Sequence, residues 1–186
     1  MEYNYKVVEI KNLSEGNYIL SLKKKNLKFA AGQFFSLGIS NNPINREYSV
    51  CSGENDETID FLIRELKKGI VSQSLRKLAV GDYVKVLGPY GNFYLKTFNT
   101  NTNYIFIATG TGIAPFMSLI KTFPKLKYKI FHGVRYYEDC IHDLVDDNYH
   151  IFVTREKIEK KNTYNGRLGN YIDLMKNYDE NTYFFL

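Results

Sequence analysis

Tyr104-Ile105-Phe106-Ile107-Ala108-Thr109-Gly110-Thr111-Gly112-Ile113-Ala114-Pro115 decides how the second half of the chain folds. Its opening five residues are apolar throughout, the pattern of a strand buried on both faces. The glycines then mark a tight turn, and a helix is predicted over residues 115–121. Because residues 97–120 carry no charge, a membrane span competes with this reading. Two glycines and Pro115 near its centre favour strand, turn and helix start over a continuous transmembrane helix.

Downstream, Tyr128-Lys129-Ile130-Phe131 and Tyr149-His150-Ile151-Phe152-Val153 read as two further strands, residues 171–175 as a helix, and residues 182–186 as a last, buried strand. Strands alternating with helices predict a parallel α/β sheet. A buried strand that stops on the final residue points to a native protein that continues. Upstream the pattern changes to short alternating runs. Tyr5-Lys6-Val7-Val8-Glu9-Ile10, Tyr18-Ile19-Leu20-Ser21-Leu22, Gln33-Phe34-Phe35-Ser36-Leu37, Tyr48-Ser49-Val50-Cys51, Ile59-Asp60-Phe61-Leu62-Ile63 and Tyr83-Val84-Lys85-Val86-Leu87 predict a small antiparallel β-barrel. One helix interrupts it, with Ser72 as N-cap and Leu75, Leu78 and Ala79 as its apolar stripe. The Asn- and Thr-rich linker at 97–103 divides the chain into a barrel domain, 1–98, and an α/β domain, 99–186.

The bulk numbers agree with a globular protein. The 186 residues are 44% hydrophobic and 24% charged, with 16 Tyr and 13 Phe, too apolar for a disordered chain. Net charge is +5, but the lysines are dispersed and no nucleic-acid-binding motif occurs, so no nucleic-acid partner is expected. The N-terminus lacks a signal core, and the two cysteines, Cys51 and Cys140, form no C-x-x-C pair. A reducing cytoplasm is expected, without metal or iron–sulfur cluster; the three histidines show no metal-ligand spacing.

Three constellations carry chemistry. Gly110, Thr111 and Gly112 sit where a strand meets a helix, an arrangement that cradles a pyrophosphate, although such a turn asks for glycine on its own account. Pro115 stands where the usual dinucleotide fingerprint has its third glycine. Past the next strand comes Arg135, where an NAD site of the usual kind has a carboxylate. Arg155 and Arg167 follow, and converging guanidiniums suit the 2′-phosphate of NADPH. In the barrel half, Arg46-Glu47-Tyr48-Ser49 combines a phosphate-binding cation, a stacking face and a hydroxyl, and Gly69-Ile70-Val71-Ser72 offers a second helix-start cradle or an ordinary N-cap.

These segments, with Gly88-Pro89-Tyr90-Gly91 and His132-Gly133-Val134-Arg135, in this order and on these elements, resemble the ferredoxin–NADP reductase family from about Phe34 to Leu186. Bacterial-type enzymes that use ferredoxin or flavodoxin are the most similar, through His132-Gly133-Val134-Arg135 and Val153-Thr154-Arg155-Glu156. The resemblance implies an N-terminal antiparallel β-barrel FAD domain followed by a parallel-sheet nicotinamide-nucleotide domain. It implies that Arg46 contacts the FAD pyrophosphate and that Tyr48 stacks on the isoalloxazine. Ser49 would lie near flavin N5, making Tyr48 and Ser49 the catalytic positions. It places Ser72 and the amides of Ile70 and Val71, with Gly69 beside them, at the FAD pyrophosphate. Gly110, Thr111 and Gly112 fall beside the nicotinamide nucleotide, and Arg135, Arg155 and Arg167 around the 2′-phosphate of NADPH. The family's Cys-Gly segment, final helix and tail have no match here. The implied activity is electron transfer between NADPH and a separate ferredoxin or flavodoxin through FAD. Two rivals share the fold: an NADH-dependent flavin reductase or oxygenase reductase component, and a non-catalytic FAD-holding electron-transfer subunit. Cys51 reads as a small buried residue and His132 as a strand-end residue.

Overall fold

Alternation of apolar and polar residues in the first half produces six strands: β1 (Glu2–Asn12), β2 (Asn17–Lys23), β3 (Phe34–Ile39), β4 (Arg46–Ser49), β5 (Thr58–Arg64) and β6 (Tyr83–Tyr90). In the computed structural model, which describes residues 2–39, 42–95, 98–144, 146–175 and 178–186, they pair antiparallel in the order β4-β3-β6-β1-β2-β5. The two outer strands then meet. Val50 bridges Phe61, and the Cys51 amide donates to the Asp60 carbonyl at 2.8 Å, closing the sheet into the expected barrel. Inward residues two apart, Tyr18, Leu20 and Leu22 on β2 and Ile59, Phe61 and Ile63 on β5, are fully buried. The Phe35 ring meets Phe29 and Phe61 edge-on at 6.3 and 6.1 Å.

The helix in this half, α1 (Ile70–Arg76), adds Val71 and Leu75 to the barrel core. Its limits correct the expectation from sequence. Gly69, not Ser72, is the N-cap, so Ser72 lies inside the helix and Leu78 and Ala79 lie beyond its end. Leu78 still packs against the core from the turn that follows.

In the second half the apolar runs give β7 (Asn103–Thr109), β8 (Lys127–Val134), β9 (Tyr149–Val153), β10 (Thr163–Asn165) and β11 (Thr182–Phe185). All four pairings are parallel, in the order β10-β9-β8-β7-β11. The chain steps outward from β7 through β8 and β9 to β10, then returns to the other side of β7 for β11. The carboxyl end of β7 is therefore the topological switch point, where open parallel sheets bind ligands. The uncharged run is strand, 3-10 turn (Gly110–Ile113) and helix α2 (Ala114–Thr122), as expected. Among the described residues no helix is long and apolar enough to cross a membrane.

By packing, the chain divides into two compact units, Met1–Lys96 with Ala114–Pro124, and Thr97–Ile113 with Lys125–Leu186. Helix α2 follows β7 in the chain but is counted with the barrel. Its Ser118 hydroxyl donates to the Ser52 carbonyl at 2.7 Å, and Phe116 packs on Phe93 at 5.9 Å.

Three features of the second unit depart from the expectations. The segment read as a helix over 171–175 is a 3-10 run, Leu168–Met175, broken at Tyr171. There the Tyr171 ring packs on Phe152 and Tyr164 while its hydroxyl donates to the Asn165 carbonyl, fixing an open turn. Strand β10 was not foreseen, because Tyr164 stands alone between polar residues. Strand β11, expected to be buried, lies at the sheet edge with Tyr183 58% and Phe184 43% exposed.

Candidate functional site

Each unit carries its own cluster of candidate residues. In the barrel, β4 is laid along β3 with Arg46 opposite Leu37, Tyr48 opposite Phe35 and Ser49 opposite Phe34. Arg46 is exposed, and Tyr48 and Ser49 are half-buried, Tyr48 packing one side against the barrel core. Arg46 and Tyr48 share a face of the strand, and the electrostatics agree. Burial raises the Tyr48 phenol above its ordinary value while the Arg46 guanidinium pulls it partly back. Sequence alternation thus puts a cation and an aromatic ring on one face of β4.

The loop entering α1 is built tightly. A Cβ on Gly69 would sit 2.5 Å from the Ser72 hydroxyl and 2.8 Å from Leu66 Cβ, so only glycine fits. The Ser72 hydroxyl accepts from the Leu66 amide at 3.2 Å and donates to the Gly69 carbonyl at 3.3 Å. Ser72 is buried and holds the turn, which leaves the first helical amides, at Ile70 and Val71, as the groups free of intrahelical partners. Ser72→Ala is expected to cost about 1–2 kcal/mol, since it strands the Leu66 amide. A urea midpoint unchanged from wild type would show that the hydroxyl is dispensable.

In the parallel unit, Gly110, Thr111 and Gly112 form the turn at the switch point. Gly110 has φ +52°, a conformation that favours glycine. Gly112 is different. Its φ is not positive, and an added Cβ would meet nothing within 4 Å, so neither backbone nor packing asks for glycine there. Its small size leaves the backbone open at this point of the turn.

Arg135, Arg155 and Arg167 follow the carboxyl ends of β8, β9 and β10, three adjacent strands. The Arg155 amide donates to the Arg135 carbonyl at 3.0 Å, tying the first two together through the backbone. All three side chains are exposed, and among the described residues none has an ion pair or side-chain hydrogen bond. Free guanidiniums on one sheet edge, with no carboxylate ending β8, make a donor set suited to a phosphate monoester.

His132 is not a simple strand-end residue. It is fully buried, with Nδ1 2.5 Å from the Tyr149 hydroxyl and Nε2 2.7 Å from the Gly110 carbonyl. The Tyr149 oxygen also accepts from the Ile141 amide at 3.1 Å. Burial pulls the imidazole down to about 4 from 6.5, opposed weakly by the Gly110 carbonyl and by Asp139. The unfolded chain therefore takes up this proton first. The stability due to a neutral, buried His132 is present above pH 6.5 and is lost as the pH falls towards 4, by up to about 1.4 kcal/mol per pH unit. Urea midpoints measured from pH 7 to pH 5 are expected to fall more steeply in wild type than in His132→Gln; parallel curves would contradict it.

Cys51 is fully buried, as expected, its thiol pushed up to about 12 mainly by burial. Among the described residues no three His, Cys, Asp or Glu side chains group as metal ligands.

A closed antiparallel barrel followed by a parallel sheet with a glycine turn at its switch point defines a two-part architecture with a candidate nucleotide site. Residues 4–94 match the oxidoreductase FAD-binding domain family. The chain is 36% identical over 123 residues to the electron transfer component of toluate 1,2-dioxygenase from Pseudomonas putida, covering 64% of this chain and 36% of the relative. It is 31% identical over 121 residues to the ferredoxin–NADP reductase of Azotobacter vinelandii, covering 61% of this chain and 46% of that one. In fold it matches a ferredoxin–NADP+ reductase from Neisseria gonorrhoeae solved with FAD and NADP, with a TM-score of 0.85 at 21% identity, covering 98% of this chain and 83% of the other. In sequence the chain is thus similar to ferredoxin–NADP reductases and to an oxygenase electron transfer component, and it shares the fold of the former. Its aligned part spans less than half the length of the two relatives in sequence.

Proposed function

We propose that this chain is a flavoprotein oxidoreductase that moves electrons between NADPH and a separate ferredoxin or flavodoxin in the cytoplasm. FAD, when bound, supplies the conversion between the two-electron hydride of NADPH and single electrons for the carrier protein. The chain's own residues bind and orient. Residues 1–98 would hold FAD, with Tyr48 as stacking face, Ser49 beside the flavin ring, Arg46 as diphosphate cation, and the Ile70 and Val71 amides on the turn fixed by Gly69 and Ser72. Residues 99–186 would hold NADPH, with the Gly110-Thr111-Gly112 backbone on the diphosphate and Arg135, Arg155 and Arg167 around the 2′-phosphate. No side chain is needed as general acid or base.

The observation that carries this reading is the switch-point turn, whose Gly112 has no structural reason to be glycine among the described residues, followed along the same sheet edge by three exposed arginines without a side-chain partner among those residues. Incubation with FAD and gel filtration tests the cofactor. The expected product is a yellow protein carrying about one flavin per chain; a colourless protein would remove the oxidoreductase reading. A second reading is an NADH-dependent reductase component of an oxygenase, its oxygenase part suggested by the similarity to the electron transfer component from Pseudomonas putida. Preference for NADH over NADPH would select it.

A further inference from the structure

The hydrogen-bonded series Ile141–Tyr149–His132–Gly110 lies in the interior of the parallel unit and ends on the glycine turn. Its proton positions follow from chemistry alone. The Gly110 carbonyl only accepts, so His132 must carry its proton on Nε2 and donate it across 2.7 Å. His132 Nδ1 is then an acceptor and takes the Tyr149 O–H at 2.5 Å. The Tyr149 oxygen in turn accepts the Ile141 N–H at 3.1 Å. Each donor has an acceptor, and His132 and Tyr149 are 0% and 1% exposed, so one tautomer is imposed.

The Gly110 carbonyl belongs to the same planar trans peptide as the Thr111 N–H, and the two point in opposite directions. Holding that carbonyl towards the buried imidazole therefore aims the Thr111 amide away from it. The 110–111 peptide opens the Gly110–Ile113 3-10 turn, and Gly110, at φ +52°, enters that turn in a conformation that favours glycine, so the His132 bond adds a side-chain restraint to those of the turn.

We propose that His132, oriented by Tyr149, is a positioning residue that locks the Gly110–Thr111 peptide so that the Thr111 amide faces the diphosphate of a nicotinamide nucleotide. This rests on the reading of the glycine turn as a nucleotide site. Because the diphosphate is common to NADP+ and NAD+, His132 acts on both, unlike an arginine that reads the 2′-phosphate.

Two measurements on the full chain test it. Calorimetric titration with NADP+ and with NAD+ compares wild type, His132→Phe, His132→Gln and Tyr149→Phe, each first shown to be folded by circular dichroism. His132→Phe is expected to weaken both nucleotides by about ten-fold, the worth of one hydrogen bond of about 1.4 kcal/mol. His132→Gln, whose amide replaces the Nε2 donor, is expected to restore most of that loss, and Tyr149→Phe to fall between. Nitrogen-15 NMR of histidine-labelled wild type is expected to show Nε2 protonated and Nδ1 bare, without any nucleotide. The opposite tautomer overturns the proposal, as does a folded His132→Phe that binds both nucleotides as wild type does. Wild type that binds neither nucleotide overturns the reading of the turn itself, and with it the positioning role.

Discussion

Replacing Arg155 and Arg167 together with alanine is expected to weaken NADP+ by about a hundred-fold or more and to change NAD+ by less than about three-fold. A hydrogen bond to a charged group contributes about 1.5–3 kcal/mol, or about ten-fold to a hundred-fold in affinity, and two guanidiniums are removed at once. Both residues follow the ends of adjacent strands β9 and β10 and have no competing partner among the described residues, so both are available to a phosphate, and only Arg135 remains in the variant. Equilibrium titration with the two oxidised nucleotides separates the effects. Equal losses for both would show that these arginines do not read the 2′-phosphate.

Tyr48→Ala is expected to raise the dissociation constant for FAD about ten-fold to a hundred-fold. Stacking of a flat heterocycle on an aromatic ring is worth about 1–3 kcal/mol, and alanine removes the whole face. Tyr48→Phe keeps the ring and is expected to retain flavin nearly as well as wild type, because the face of the ring and not its hydroxyl does the stacking. Fluorescence of released flavin reports both constants. Wild-type retention by the alanine variant would show that Tyr48 belongs only to the barrel wall.

Much of this architecture was legible because it is written in periodicity. The six barrel strands follow from alternation, as with Ile59, Phe61 and Ile63 on β5, and β7 follows from an unbroken apolar run ending in glycine. The α1 boundary was misread because a serine at a helix start usually caps it. Here Gly69 occupies that place, and Ser72 turns back to Leu66 from within the first turn. Strand β10 escaped notice because three residues around a single tyrosine carry no pattern; their strand character comes from parallel pairing with Ile151, Phe152 and Val153. The side chain least legible in the sequence is Tyr149. In sequence it opens an apolar run, and nothing there shows that parallel register lays Ala108 beside His132 and Ile130 beside Tyr149, bringing imidazole, phenol and the glycine turn together. A buried histidine announces its partner only through tertiary pairing.

The most direct test of the central claim is anaerobic titration of the FAD-loaded protein with NADPH and, separately, with NADH, followed by flavin absorbance. The expected result is loss of the oxidised flavin band with about one equivalent of NADPH, at concentrations where NADH leaves the band almost unchanged. A flavin that stays oxidised with excess NADPH, or that bleaches more readily with NADH, would contradict the proposed function.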